Sequence, residues 1–166
     1  VTNPQCQVID VRGDVITDVF ARRSTLARID PDGSTVQVLA ANVDLVIITA
    51  PADRMSPARV ERELAVAWAS GALPIVTVTK SDIAESGTFE ALRDRLVGVE
   101  VLATSALTGV GVAELAIRLR PNLTAVLLGP SGAGKSTLAN VLVGDGQLAT
   151  GSVRDSDSRG RHPTPS

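Results

Sequence analysis

Gly129-Pro130-Ser131-Gly132-Ala133-Gly134-Lys135-Ser136 is the stretch that decides the fold. It matches G-x-x-x-x-G-K-[ST] in the context that pattern requires, with an apolar strand over residues 124–128 before it and an apolar helix over 135–143 after it. Glycines let such a loop turn its backbone N–H groups inward around a phosphate, where a Cβ would clash. The following helix points its positive N-terminal end at the same anion. Lys135 is placed to reach the outer phosphates as a point charge, and the Ser136 hydroxyl to ligate Mg2+. The candidate phosphate-binding residues are Gly129, Ser131, Gly132, Ala133, Gly134, Lys135, Ser136 and Thr137, with Lys135 also a candidate catalytic residue. The bland alternative, a glycine-rich turn with an exposed lysine and no ligand, leaves both flanking elements unexplained. The pattern implies a nucleoside triphosphate site.

Working upstream, strands and helices alternate from residue 40 onward. Leu45-Val46-Ile47-Ile48 and Pro74-Ile75-Val76-Thr77-Val78 are nearly unbroken apolar runs, the pattern of parallel strands covered on both faces. Between them, Ser56 is an N-cap candidate and Pro57 suits a first helical turn. That helix places Val60, Leu64, Ala67 and Trp68 on one face and stops at Gly71. A helix around 89–96, a strand over 99–102 and a helix over 112–119, ended by Pro121, follow. This rhythm predicts a right-handed parallel α/β sheet flanked by helices. Residues 1–39 read instead as short alternating strands with a turn at Asp30-Pro31-Asp32-Gly33, an incomplete β module. The last stretch, 151–166, is rich in Ser, Asp, Arg and Pro and reads as a mobile loop.

Thr79-Lys80-Ser81-Asp82 follows a buried strand at the edge where α/β sheets bind ligands. The Asp82 carboxylate suits the ring N–H and exocyclic amine of guanine, a donor pair that adenine lacks. Lys80 can lay its stem over the purine. After the next strand, Thr104-Ser105-Ala106 offers a backbone N–H for the guanine carbonyl, so Ser105 and Ala106 join Thr79, Lys80 and Asp82 as base-site candidates. Taken alone, T-K-x-D fits a helix cap at Ser81 or Asp82 equally well, and Ser105 fits a turn. Two such segments on successive strand ends, in one sheet with a phosphate loop, favour guanine. In Ras-type GTPases the phosphate loop precedes the base motifs; here it follows them. A site assembled from strand-end loops survives such rejoining of the chain.

Composition narrows the field. Lys and Arg number 16 against 18 Asp and Glu, a net charge of −2, which excludes a wholly basic nucleic-acid binder. Hydrophobic residues make up 44% of the chain, too many for a disordered tail, yet no apolar run is long enough for a membrane helix. A single Cys and a single His exclude a disulfide framework or a self-contained zinc site and point to a reducing, cytoplasmic setting. Two Phe, one Trp and no Tyr leave no aromatic platform for bases. Arg22, Arg23 and Arg28, and separately Arg154, Arg159 and Arg161, read as solvated surface, though they are able to meet RNA phosphates.

The order of motifs resembles the circularly permuted, ribosome small-subunit-dependent GTPase A family (RsgA, or YjeQ). The matching stretches are Arg22-Arg23-Ser24-Thr25-Leu26, residues 38–44, 79–82, 104–109 and 129–137, Leu148-Ala149-Thr150-Gly151, and Gly160-Arg161-His162. The resemblance implies a P-loop NTPase fold of permuted GTPase topology over 40–166, preceded by a partial OB-fold-like segment over 1–39. It implies hydrolysis of GTP to GDP with Mg2+ in late assembly of the small ribosomal subunit, with that subunit and its rRNA as partners, no membrane, and a monomer. It assigns Thr164 to Mg2+ and the γ-phosphate, and His162 to placing the attacking water. The flanking Pro163 and Pro165 depart from the family's run of threonines. The family's D-T-P-G second switch and zinc region do not occur within the chain, so zinc is expected only in a missing C-terminal region and the chain is expected to be part of a longer protein. Asp157-Ser158-Arg159-Gly160 fits D-x-x-G as a string but lies upstream of His162 without a preceding strand, and reads as coincidence. A guanine-nucleotide binder without hydrolysis, and a P-loop ATPase or kinase, are the competing readings.

Overall fold

Two antiparallel ribbons come first in the computed structural model, which describes residues 8–12, 15–29 and 36–144. Strand β1 (Val8–Arg12) pairs with β2 (Val15–Phe20), and β3 (Thr25–Ile29) with β4 (Val36–Ala41), each pair carrying one irregularity in register. The expected turn at 30–33 lies outside the described residues. The second ribbon is anchored by Leu26, which is fully buried in the core described below.

The chain then builds a four-stranded parallel sheet from β5 (Leu45–Pro51), β6 (Leu73–Thr79), β7 (Glu100–Ala103) and β8 (Ala125–Leu128), in the order β7-β6-β5-β8. Every residue of β5 is buried, which explains its unbroken apolar run. Successive side chains leave a strand on opposite faces. Val46, Ile48 and Ala50 therefore join Val76 and Val78 in one core cluster, while Leu45, Ile47 and Ile75 join another on the far face.

Helices cover both faces. α1 (Pro57–Ser70) and α2 (Thr88–Arg95) contribute Val60, Leu64, Ala67 and Leu92 to the first cluster. α3 (Val112–Ala116) and α4 (Lys135–Val143) contribute Val112, Leu115 and Leu138 to the second. Truncating the buried Leu64 or Leu115 to Ala should cost about 2–5 kcal/mol. α1 starts with Pro57 in its first turn; the Ser56 carbonyl, rather than its side chain, accepts the N–H groups of Arg59 and Val60. It ends at Gly71, which is left-handed and donates to the Trp68 carbonyl.

Trp68 itself departs from the sequence reading. Its side chain is 56% exposed. Eight residues beyond Val60, it has rotated about 80° around the helix from the line that Val60, Leu64 and Ala67 keep, so it borders the buried stripe. Helix α3 is also shorter than the apolar pattern implied, ending before Pro121 at Ala116. Among the described residues β8 pairs only with β5, at one edge of the sheet.

Candidate nucleotide site

All four parallel strands end at one rim, and the sheet order fixes what meets there. The turn after β5, a 3-10 segment over Ala52–Arg54, lies between the loop after β6 and the loop after β8. The segment after β7 is next to that after β6.

The loop after β8 is held by side chains from its neighbours. Thr49 Oγ1, on β5, donates to the Leu128 carbonyl at 2.7 Å. A Cβ at Gly129 would lie 2.1 Å from that hydroxyl oxygen and 2.6 Å from the Thr49 carbonyl, at a φ of +142°, so only glycine leaves β8 this way. Thr79 Oγ1, at the end of β6, donates to the buried Ala133 carbonyl at 2.7 Å. Arg54 Nη2 donates to the Ser131 carbonyl at 3.1 Å and fills the space a Gly132 side chain would take. Lys135 Nζ folds back onto the carbonyls of Gly129 and Pro130 at 2.8 and 2.9 Å. Ser136 and Thr137 are exposed on the first turn of α4.

The base-site candidates form a second locked unit. Ser81 N–H donates to the Thr104 carbonyl, Thr104 N–H to that of Val78, and the Thr77 and Thr104 hydroxyls are 2.7 Å apart. Lys80 adopts a left-handed conformation (φ +57°) and its Nζ pairs with Asp53 Oδ2 at 2.7 Å. Asp82 is exposed on a short 3-10 turn, Ser81–Ile83. Ser105 is fully buried; its N–H goes to the Val110 carbonyl, and its hydroxyl accepts the Thr108 N–H. The Ser105 amide is therefore spent inside its own turn, which leaves the Ala106 amide as the N–H available to a ligand in this segment.

These units face one cavity of about 290 Å³, whose walls include Thr79, Lys80, Asp82, Ala106, Gly134 and Thr137. Residues of both base segments and, from the phosphate loop and the start of α4, Gly134 and Thr137 thus share a single hollow, at the small end of ligand pockets. His162, Thr164 and the 157–160 string lie outside the described residues, as do residues 148–151.

Two carboxyls near the site are perturbed. The Lys80 hydrogen bond holds the Asp53 carboxyl below the usual carboxylate range, against a weaker opposing push from burial and with further help from the charges of Lys80 and Arg54. Burial pushes the Glu63 carboxyl up, partly offset by Arg59, Lys135 and Arg62. Sequence reasoning missed Thr49, Asp53 and Arg54. A hydroxyl in an otherwise apolar, fully covered strand needs a partner, and that signal was available for Thr49 and Thr77. Nothing comparable marks Arg54.

A parallel sheet with helices on both faces and a glycine-rich loop leading into α4 defines a P-loop GTPase fold, with the phosphate loop placed after the base loops in the chain. The family model described as RsgA GTPase matches residues 19–166, and the chain belongs to that family. It is 38% identical over 160 residues to the small ribosomal subunit biogenesis GTPase RsgA 1 of Listeria monocytogenes, covering 94% of this chain and 46% of the relative. It is 46% identical over 134 residues to the RsgA of Streptomyces coelicolor, covering 77% of this chain and 36% of that one. The crystal structure of YjeQ from Thermotoga maritima matches with a TM-score of 0.65 and 25% identity, over 82% of this chain and 48% of that one. The chain thus spans less than half the length of these relatives.

Proposed function

We propose that this chain binds GTP and GDP with Mg2+ and, as part of its protein, hydrolyses GTP during assembly of the small ribosomal subunit. The observation that carries this reading is the shared cavity, where Asp82 and Ala106 on one side meet Gly134 and Thr137 on the other. Asp82 would accept both guanine donors, Ala106 N–H would meet the base carbonyl, and Thr79 would hold the phosphate loop against the base loop. The loop's N–H groups and the start of α4 would take the phosphates, with Lys135 swinging from its carbonyl partners to the outer ones. Ser136 suits Mg2+: it is exposed on the first turn of α4, directly after Lys135. Mg2+ typically rests on substrate phosphates plus few protein ligands, and it would neutralise phosphate charge there. The relatives' printed names supply the ribosomal part of the proposal. The partial OB-fold over 1–39, the division from 40 onward, and the roles of His162 and Thr164 belong to the same proposal, as does the cytoplasmic setting.

Calorimetric titration with GTP, GDP and ATP tests the base site. Guanine nucleotides should bind and ATP should not; equal ATP affinity overturns the guanine reading. Asp82→Asn should weaken GTP and favour xanthosine nucleotides, whose altered edge suits an amide. Phosphate release measured with and without small ribosomal subunits separates a GTPase from a binder that turns nothing over.

A further inference from the structure

We propose that Arg54 is a phosphate-contacting residue of this site, a cation delivered by the turn after β5 to the polyphosphate of a bound nucleotide. The inference rests on the nucleotide reading above and adds to it a residue that none of the sequence motifs marks.

Place comes first. β5 lies between β6 and β8, so its terminal turn is inserted between the base loop and the phosphate loop. Contact comes next. Arg54 Nη2 touches the apex of the loop, at the Ser131 carbonyl, and sits 2.8 Å from where a Gly132 Cβ would be. That apex belongs to the run of N–H groups that cradles phosphates in loops of this pattern. Charge completes the case. Neighbouring Asp53 is engaged closely by Lys80 at 2.7 Å and stands 3.8 Å from Arg54 Nε. The other guanidinium donors of Arg54 have no hydrogen-bond partner among the described residues, and its side chain is 56% exposed. A guanidinium fork with spare donors, held at a phosphate loop by one of them, is suited to bridge loop and anion at once.

Arg54→Gln removes the charge and Arg54→Lys keeps it, so the pair of variants isolates the charge from the contact with the Ser131 carbonyl. Competition against a fluorescent GDP analogue, with the unaltered 166-residue chain as reference, should show GDP and GTP weakened about tenfold, the usual scale for one charged hydrogen bond. GMP, which lacks the second phosphate, should bind the variant and the unaltered chain alike. The salt dependence of GDP binding should flatten in Arg54→Gln and be largely restored in Arg54→Lys. Coincident melting curves would show that the variants remain folded. Unchanged GDP affinity in Arg54→Gln, or an equal loss for GMP and GDP, overturns the assignment and leaves the nucleotide reading standing. Failure of the unaltered chain to bind GDP refutes the nucleotide reading, and Arg54 falls with it.

Discussion

The loop after β8 and the turn after β5 lie side by side at the same rim, and they are specified in opposite ways. The loop is written in backbone: Gly129 is there because a side chain would run into Thr49, and Gly132 and Gly134 hold positive φ angles. The turn is written in reach: Asp53 and Arg54 act through side chains that extend to Lys80 and Ser131. A backbone requirement leaves a fixed spelling in the sequence, whereas a long side chain reaches the same place from several positions and leaves none. Besides the bonds that Lys135 makes to the Gly129 and Pro130 carbonyls, the loop is tied at Ser131 and Ala133 by Arg54 and Thr79, and Thr49 holds the Leu128 carbonyl at its root. The phosphate-loop motif is thus shaped partly by Thr49 and Arg54, which no motif marks.

That contrast is best broken at its strong end. Lys135→Ala removes the loop's own cation and should lower GTP affinity by about 100-fold or more by calorimetry. Gly129→Ala forces a Cβ onto Thr49 and should cost about 3 kcal/mol in urea unfolding, from overpacking and backbone strain together. Thr49→Val and Thr79→Val keep the shape but leave the Leu128 and Ala133 carbonyls without their hydroxyls; each should cost about 1–3 kcal/mol in the same measurement. Only Thr79→Val should also loosen base recognition, because it alone joins the two halves of the site.

The smallest effect belongs to Asp53→Asn. The carboxyl is held below its ordinary range by Lys80, so its contribution is complete above the ordinary carboxylate range and is lost as pH falls through the depressed value. Guanine-nucleotide affinity of the unaltered chain should show this acid step, and the Asn variant a smaller one while binding slightly more weakly at neutral pH. An unchanged acid step in the variant would show that the Asp53–Lys80 pair does not position the base loop.

Much of the fold was legible in the sequence for a physical reason. A parallel strand covered on both faces is mostly apolar, and β5 and β6 read as such; Gly71 and Lys135 mark helix limits where they fall. Trp68 was not legible, because helical spacing does not tell the middle of a buried stripe from its margin. Of the candidate site, Thr79, Lys80, Asp82, Ala106 and residues 129–137 could be proposed from motifs, but the bonds among them could not. Nor could the use of the Ser105 amide within its own turn be read from a tetrapeptide. Asp53 and Arg54 stayed invisible because adjacency of strand ends depends on sheet order, which the chain sequence does not spell.

The hydroxyl of Thr79 has one more consequence. It spans from β6 to the loop beyond β8, across the end of β5, so whatever steadies one half of the hollow steadies the other. Guanosine and pyrophosphate, offered as separate molecules, should therefore bind with positive cooperativity, each lowering the ordering entropy that its counterpart must overcome.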